Sequence, residues 1–545
     1  MQQRQRRWNG WGWADETVPL PSSARAWLSE RLGAGEPLPE AGEQSVRLPA
    51  ARPLPELPAT TLGDRTARLR HACGLAFPDV VVLRTGVPQA FPDAVCVPES
   101  TEQVVAVLRA AVEADVAVIV RGGGTSVVGG VTVNAGSRPT VVLSLERLRG
   151  LVALDRASLL AAFRSGTLGP DVEAALAPSR LRLGHEPQSF EFSSVGGWIA
   201  TRSAGQRSTG VGKIDDLVAG LEIATPDGVW SLPPQPASAA GPELRRLVVG
   251  SEGRLGVITE ATLRVRPLPE CRDGAAVLVP GWSTGLEVCR ALLQTGPGPE
   301  VVRVSDPDET SFGIALTEVP RVAAGVRDLI LGMRRFHRGC IVLLEWAGAP
   351  QDVVLARQAA ARIWQDAGGL ALGRTPWRRW LAERFRHPYL RDVLLSAGWG
   401  VDTLETAAPW SALEALHGAV RHAMTAAAEA AAFRTAVLCH LSHAYRDGAS
   451  LYFTWLWPLR RGDEIGQWRL LKDAASEAIV ASGGTITHHH GVGTMHASYL
   501  EREVGTSGVA ALAAAARALD PHGVLNPGVL LPPSLRPDGA GRGKP

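Results

Sequence analysis

Arg121-Gly-Gly-Gly-Thr-Ser-Val127 follows the short apolar run Val116 to Val120. Three consecutive glycines leave backbone N–H groups uncovered, so the chain can close around a diphosphate where side chains would block the approach. Ahead of it, Val97-Pro-Glu-Ser-Thr-Glu-Gln103 carries a Ser-x-x-Gln capping box at Ser100 and Gln103, and Val104, Val107, Leu108 and Ala111 make the apolar stripe of an amphipathic helix. The unit reads strand, helix, strand, phosphate loop. A glycine-rich turn alone is more often a turn than a nucleotide cradle. No G-x-G-x-x-G opens a helix after it and no Gly-Lys-Ser/Thr closes it, so neither a Rossmann site nor a P-loop is indicated. Two later stretches strengthen the phosphate reading. Gly184-His-Glu-Pro-Gln-Ser-Phe-Glu-Phe-Ser-Ser-Val-Gly-Gly-Trp198 is a long loop leading to Thr201-Arg-Ser-Ala-Gly205, and Gly250-Ser-Glu-Gly-Arg-Leu-Gly256 alternates glycine with small polar residues before a strand.

Composition narrows the class. With 545 residues, 45% of them hydrophobic, the chain can bury at least two cores and is long enough for two to four domains. A net charge of +2 from 56 basic and 54 acidic residues gives no electrostatic footprint for nucleic acid. No apolar run approaches the roughly 18 residues that cross a bilayer. The first residues lack a secretory apolar stretch and the final Gly-Lys-Pro is no peroxisomal address, so a cytoplasmic location is expected, with peripheral membrane contact left open. Six cysteines are scattered without a C-x-x-C pair, which points to neither a zinc site nor a disulfide framework.

The three glycine motifs, in this order and spacing, resemble the flavin-binding half of the vanillyl-alcohol-oxidase and para-cresol-methylhydroxylase superfamily. Further segments resemble its alkyldihydroxyacetone-phosphate synthase branch: Arg7-Trp-Asn-Gly-Trp-Gly-Trp13, Pro78-Asp79, Gly184-His-Glu-Pro187, Ile214-Asp-Asp-Leu217, Leu390-Arg-Asp392 and His488-His-His-Gly-Val-Gly493. The likeness covers most of the chain. It implies an α+β fold, with a two-part FAD-binding domain of the para-cresol-methylhydroxylase type and a cap domain whose antiparallel sheet is covered by helices. The expected divisions are a wrapping segment over 1–88, the FAD-binding domain over 89–270, the cap over 271–500, a segment over 501–531 returning to the FAD domain, and a disordered tail over 532–545. One helix is expected near Arg65 to Cys73. In the cap, helices are expected at Arg321 to His337 and Ser411 to Ala432, with strands at Ile341 to Trp346 and Ala436 to His440.

The resemblance also implies FAD, held without a covalent link, because Gly124 and Thr125 stand where tethering relatives carry a histidine. Its expected contacts are Val120, Arg121, Gly122, Gly123, Gly124, Thr125 and Ser126, then Gln188, Ser189, Phe190, Glu191, Phe192, Ser193 and Ser194. Thr201, Arg202, Ser203 and Ala204 follow, and Glu252, Gly253, Arg254, Leu255, Gly256, Val257 and Ile258 complete the set. Arg254 departs from the small polar residue expected there.

Three constellations compete for the chemistry. His488, His489 and His490 suit acid–base or phosphate-binding work near neutral pH. On an extended strand adjacent side chains face opposite ways, so the three cannot converge on one ion without a turn, and no metal is expected. Tyr452 sits in Ser450-Leu-Tyr-Phe-Thr-Trp-Leu-Trp457, where alternation alone explains it as sheet packing; the resemblance makes it the catalytic tyrosine, with Tyr445 as the alternative. On this facing Tyr452 and His490 rank above His488. Arg391 beside Asp392 reads as a surface ion pair or, by resemblance, as the group that clamps the substrate's phosphate. Arg303 is a weaker candidate of the same type, and His185 lies in a loop that belongs to either site. The implied activity is a transferase in which the flavin performs no net oxidation: its N5 attacks the carbon bearing the ester of an acyl-dihydroxyacetone phosphate, the fatty acid leaves and a fatty alcohol replaces it. The alternative is an FAD-linked oxidase or dehydrogenase of a 2-hydroxy acid, which the C-terminal Asn526-Pro527 resembles. The partner expected is a lipid-like phosphorylated small molecule and no nucleic acid; a homodimer stays open.

Overall fold

A computed structural model describes residues 4–134, 136–296, 298–317 and 336–532. Nearly all of the helix expected over Arg321 to His337, and of the tail expected over 532–545, lies outside the described residues. The strand and helix ahead of the phosphate loop form as their pattern dictates. The helix Thr101–Glu113 turns Val104, Val107, Leu108 and Ala111 inward, all fully buried. Ser100 Oγ accepts from the Gln103 N–H at 3.3 Å, but the Gln103 side chain reaches back one residue beyond the cap, to the Glu99 N–H at 2.7 Å. The flanking strands Ala94–Val97 and Ala117–Arg121 both run parallel to Thr140–Ser144 between them, which makes a small buried sheet.

The first 88 residues contribute more than a wrapping. Thr60–Leu62 pairs antiparallel with Ala94–Val97 and becomes an edge strand of that sheet. Three α-helices stand where one was expected: Ser22–Leu32, Arg65–Arg70 and Phe77–Thr85. The first buries only Ala24, Leu28 and Leu32, a stripe one residue wide that arginine and serine on every other face conceal in the sequence. The chain's later part returns to the same sheet. After the helix Leu500–Leu519, the Val118 N–H donates to Val524 O and the Asn526 N–H to Val118 O, each at 2.8 Å, so Leu525 lies parallel beside Ala117–Arg121.

A five-stranded antiparallel sheet from Leu151–Asp155 to Val257–Arg264 completes the flavin-type half, around its own core of Phe163, Trp198, Leu221 and Ile258. The cap is a seven-stranded sheet in the order Leu370–Gly373, Cys271–Val279, Cys340–Gly348, Val301–Ser305, Ala436–Ala444, Gly448–Pro458, Trp399–Pro409, with every pairing antiparallel. The helices Trp282–Gln294, Pro350–Asp366, Leu413–Ala430 and Glu464–Ala481 pack their apolar faces on this sheet in one core. Period-two alternation sorts Gly448–Pro458: Leu451, Phe453, Trp455 and Trp457 enter that core, which leaves Tyr452 and Thr454 on the opposite face. No helix among the described residues is long and apolar enough to cross a membrane.

Candidate active site

The face of the cap sheet that the helices leave free carries a row of polar groups, set by register. Glu405 pairs across to Tyr452, and Tyr452 pairs across to His440. Cross-strand partners on one face sit within contact distance, and the His440 and Tyr452 rings stack at 4.9 Å. Arg303 extends the row by donating to His440 Nε2 at 3.0 Å and pairing with Glu309 at 2.8 Å, while His440 Nδ1 meets Glu309 at 2.8 Å. Arg303 is therefore already engaged by a carboxylate and an imidazole.

The histidine triplet does not run as an extended strand. Glu405 is fully buried, and its Oε1 accepts from the N–H groups of His488, His489 and His490 at 3.1, 2.8 and 2.7 Å and from the Thr487 hydroxyl at 2.8 Å. Three successive N–H groups aimed at one oxygen are a turn, and the turn gathers the rings. That corrects the facing argument. A second buried carboxylate continues the job: Glu252, in the Gly250-Ser-Glu-Gly253 motif of the flavin half, accepts from the Val492 and Gly493 N–H groups at 2.7 and 2.8 Å. Burial pushes Glu252 up to about 7 against those two donors. Burial alone would also raise Glu405, but His490 and His489 beside it and the backbone N–H groups hold it well below the usual carboxylate range. The loop 487–493 is thus pinned once from each half of the molecule.

Within the gathered cluster the tyrosine in hydrogen-bond contact is Tyr445, the alternative, whose hydroxyl lies 2.7 Å from His488 Nε2. His488 Nδ1 lies 2.9 Å from His489 Nδ1, and His443 packs against both rings at 5.3 and 5.1 Å. Tyr452 stands 6.1 and 5.8 Å by ring centres from His489 and His490, with its hydroxyl turned to Thr403. Donor atoms of His443, His488 and His489 lie within 4.8 Å of one another, as do those of Glu405, His489 and His490, a convergence the extended-strand argument did not allow. Burial depresses His489 to about 3 and holds His488 and His443 well below the imidazole range. At neutral pH the three rings are uncharged, each with one donor and one acceptor nitrogen, which suits the passing of protons. Lys213 Nζ closes one side by donating to His488 O at 2.7 Å, and burial lowers that amine to about 8.

Arg391 is neither on the surface nor paired with its neighbour. Asp392 is taken by the Trp11 N–H at 2.8 Å and by Arg7 at 3.5 Å. The Arg391 guanidinium gives one N–H to Leu75 O at 2.7 Å, while its Nε and Nη2 are buried without a partner. Unsatisfied buried donors are costly, so a guanidinium with two of them calls for an anion. His185 lies fully buried against Trp198 at 4.9 Å and Ser203 at 3.2 Å, within the flavin half.

The phosphate loop fits the group the motifs imply. A Cβ at Gly122 would stand 2.2 Å from Ser194 Oγ, one at Gly123 would stand 1.8 Å from Phe192 O, and Gly124 has φ +69°. The loop therefore lies flat on the 192–194 segment, with Ser194 capping the short helix Val195–Ala200 through the Gly197 N–H at 3.3 Å. Asn526 holds the strand end by accepting from the Val120 N–H at 3.1 Å and donating to Glu252 O at 2.6 Å and Gly130 O at 3.3 Å. Not every expected flavin contact turns this way. Arg202 is exposed and paired with Asp215 at 3.0 Å, Arg254 donates to Leu525 O, Glu252 serves the histidine loop and Leu255 packs with Ala513. Because the Gly123 Cβ would meet backbone rather than a yielding side chain, Gly123→Ala is expected to purify with most of its flavin lost, read as the 450 nm absorbance per chain.

Comparison with known proteins agrees with this geometry. Residues 92–231 match the FAD binding domain family, and residues 268–530 match the C-terminal domain of FAD linked oxidases. A similar relative is the alkyldihydroxyacetonephosphate synthase of Trypanosoma brucei brucei, 30% identical over 480 residues, which are 86% of this chain and 78% of the relative. The chain belongs to the alkyldihydroxyacetonephosphate synthase family. The synthase of Dictyostelium discoideum is 27% identical across 97% of this chain and 94% of its own. A solved alkyldihydroxyacetonephosphate synthase structure superposes with a TM-score of 0.82 at 25% identity, covering 96% of this chain and 98% of that one. As a member of this synthase family the protein takes FAD as its cofactor, with an antiparallel cap over an FAD-binding half. Sequence reasoning missed Glu405, His440, His443 and Lys213. In Val401-Asp-Thr-Leu-Glu405 the alternation puts Glu405 on the face opposite the core residue Leu404, which could have flagged a carboxylate on the helix-free face, but nothing local shows that strand lying under the triplet.

Proposed function

We propose that this protein replaces the acyl chain of an acyl-dihydroxyacetone phosphate by a fatty alcohol, releasing the fatty acid and forming an ether, with no net oxidation. The observation that carries the reading is one neutral histidine cluster, bonded to a tyrosine hydroxyl, in a chain of the synthase family that also has an arginine, Arg391, with two buried, unpartnered donor nitrogens. The 120–126 loop and the 188–194 segment would hold FAD, which would supply the nucleophilic chemistry that lets the acyl group be exchanged without net oxidation. The protein's own groups supply the rest. Arg391 presents its free N–H pair to the substrate phosphate. The Tyr445 hydroxyl takes the proton of the entering alcohol as it passes its own to His488 Nε2, with His489 on the other nitrogen of that ring, and the same relay run backward returns a proton to the departing carboxylate. Glu405 and Glu252 hold the histidine loop in place, and the dry surroundings keep water from competing with the alcohol. We further place the enzyme in the cytoplasm, meeting its acyl substrate at a membrane surface, which sedimentation with phospholipid vesicles tests.

The deciding assay incubates purified holoprotein with palmitoyl-dihydroxyacetone phosphate and labelled hexadecanol. Ether and free fatty acid should appear in equal amounts with no oxygen consumed. Flavin bleaching by D-lactate or another 2-hydroxy acid, reversed by oxygen or an artificial acceptor, would establish the oxidoreductase reading instead. In the same assay Tyr445→Phe is expected to lower kcat by about 10²-fold, the low end for loss of a positioned proton donor. Tyr452→Phe, whose hydroxyl serves Thr403, is expected to fall less; the reverse order would return the proton-moving role to Tyr452.

A further inference from the structure

The segment around Arg7-Trp-Asn-Gly-Trp-Gly-Trp13 does more than mark a branch of the family. It crosses from the cap to the flavin half. On the cap side the Trp11 N–H donates to Asp392 at 2.8 Å, and Gly12, at φ +81°, lies so close to Tyr389 that a Cβ there would stand 2.2 Å from its ring. On the flavin side Trp11 and Trp13 meet Phe192 edge-on at 5.7 and 5.1 Å. Between these anchors Arg6 donates to Gly123 O at 2.8 Å, on the phosphate loop itself, and its guanidinium covers the Phe192 ring at 4.7 Å.

Charge makes this placement informative. Arg121, from the same loop, donates to Cys73 O at 2.7 Å, and among the described residues neither Arg6 nor Arg121 has a carboxylate in hydrogen-bond contact. Both keep some accessible surface while protein surrounds them closely, so each guanidinium is still open to a ligand. Burial, and then Arg121 and Arg149, push Arg6 down to about 10; burial lowers Arg121 as well. Two enclosed guanidiniums that repel each other, with only backbone carbonyls for partners, are stable together when an anion lies between them. Their position on a glycine turn specifies a phosphate ester.

We propose that Arg6 and Arg121 form a phosphate clamp, and that the N-terminal tryptophan segment closes it by carrying Arg6 onto the loop from its anchor at Asp392 and Tyr389. The proposal rests on the FAD-dependent reading of the fold. The contact with Gly123 favours the diphosphate of the flavin; the phosphate of the dihydroxyacetone substrate is the other source of the same chemistry.

The test compares Arg6→Gln and Arg6→Lys with the parent holoprotein. FAD dissociation is followed by recovery of flavin fluorescence on dilution, and KM is measured with palmitoyl-dihydroxyacetone phosphate. Expected is at least a tenfold rise in the FAD dissociation constant for Arg6→Gln, largely recovered in Arg6→Lys, with KM unchanged and the thermal melt of the flavin-free protein unmoved. Unchanged FAD affinity with a tenfold higher KM would support the clamp and assign it to the substrate phosphate. Changes below twofold in both constants would overturn it. The fluorescence readout needs no turnover: flavin loss without transferase activity in the parent would sink the proposed function and leave the clamp standing.

Discussion

Glu405→Gln is expected to lower turnover by about 10²- to 10³-fold while flavin stays bound at the parental ratio. The substitution keeps the shape and one acceptor oxygen, so the three N–H groups of His488, His489 and His490 retain a partner, but the charge that strengthens each bond is gone. Hydrogen bonds to a charged group are worth about 1.5–3 kcal/mol each, and spoiling a buried charged pair costs about 3–5 kcal/mol. If about 3–4 kcal/mol of that appears at the transition state, the rate falls by the range given. The Glu405 carboxylate also stands 2.5 Å from His490 Nδ1, so the pH profile of kcat should shift with the charge. A purely structural role would instead lower the melting temperature and flavin content and leave the profile where it was. An amide variant within tenfold of the parent, with an unmoved profile, would remove Glu405 from the mechanism.

Acid is expected to destabilise the protein steeply, beginning near pH 6.5. Eight histidines carry depressed pKa values: His185, His489 and His496 at about 3, His71 and His387 at about 4, and His440, His443 and His488 below the ordinary range. A group depressed in the fold binds its proton only after unfolding, so stability is lost as pH falls below the unfolded value of about 6.5. Carboxyls raised by burial oppose this, chief among them Glu252 and Asp79. Burial raises Glu252 to about 7 and Asp79 to about 6, so they favour the folded state as pH falls, until they are protonated in the unfolded chain as well, near pH 4–4.5. The depressed Glu309 and Glu405 lose stability in the same direction as the histidines, so the balance falls with acid. Against a typical total of about 5–15 kcal/mol, a balance of even a few protons unfolds the protein within a few pH units. Urea midpoints at pH 7, 6 and 5 read the effect directly; a flat series would mean that these rings are charged in the fold.

How much of this was legible follows the range of the interactions. The phosphate loop could be read because its reason is local: Gly122 and Gly123 face backbone and side-chain atoms that no Cβ could share space with. The cap helices and strands showed through their periodicity, as in Leu451, Phe453, Trp455 and Trp457. The facing of the triplet could not be read, because the oxygen that turns it belongs to a strand more than eighty residues earlier. Glu252 misled for the opposite reason. Its glycine-rich surroundings read as a flavin contact, and its backbone does lie beside the loop, yet its carboxylate leaves for Val492 and Gly493. Arg391 looked like a surface ion pair until Trp11 and Arg7, from the far start of the chain, occupied Asp392.

Asn526 and Arg6 reach the same loop from the last and the first hundred residues. During synthesis the strand, helix and glycine turn emerge well ahead of the side chain that fastens Val120, which lies 406 residues further on. Nascent chains can therefore fold the small parallel sheet and still present an unfinished cradle, and full cofactor capture waits until Asn526 has been made. The same arrangement makes the bound flavin a report on integrity: a protease nick that frees either of the two segments should release the flavin, seen as a rise in its fluorescence, before it melts the core.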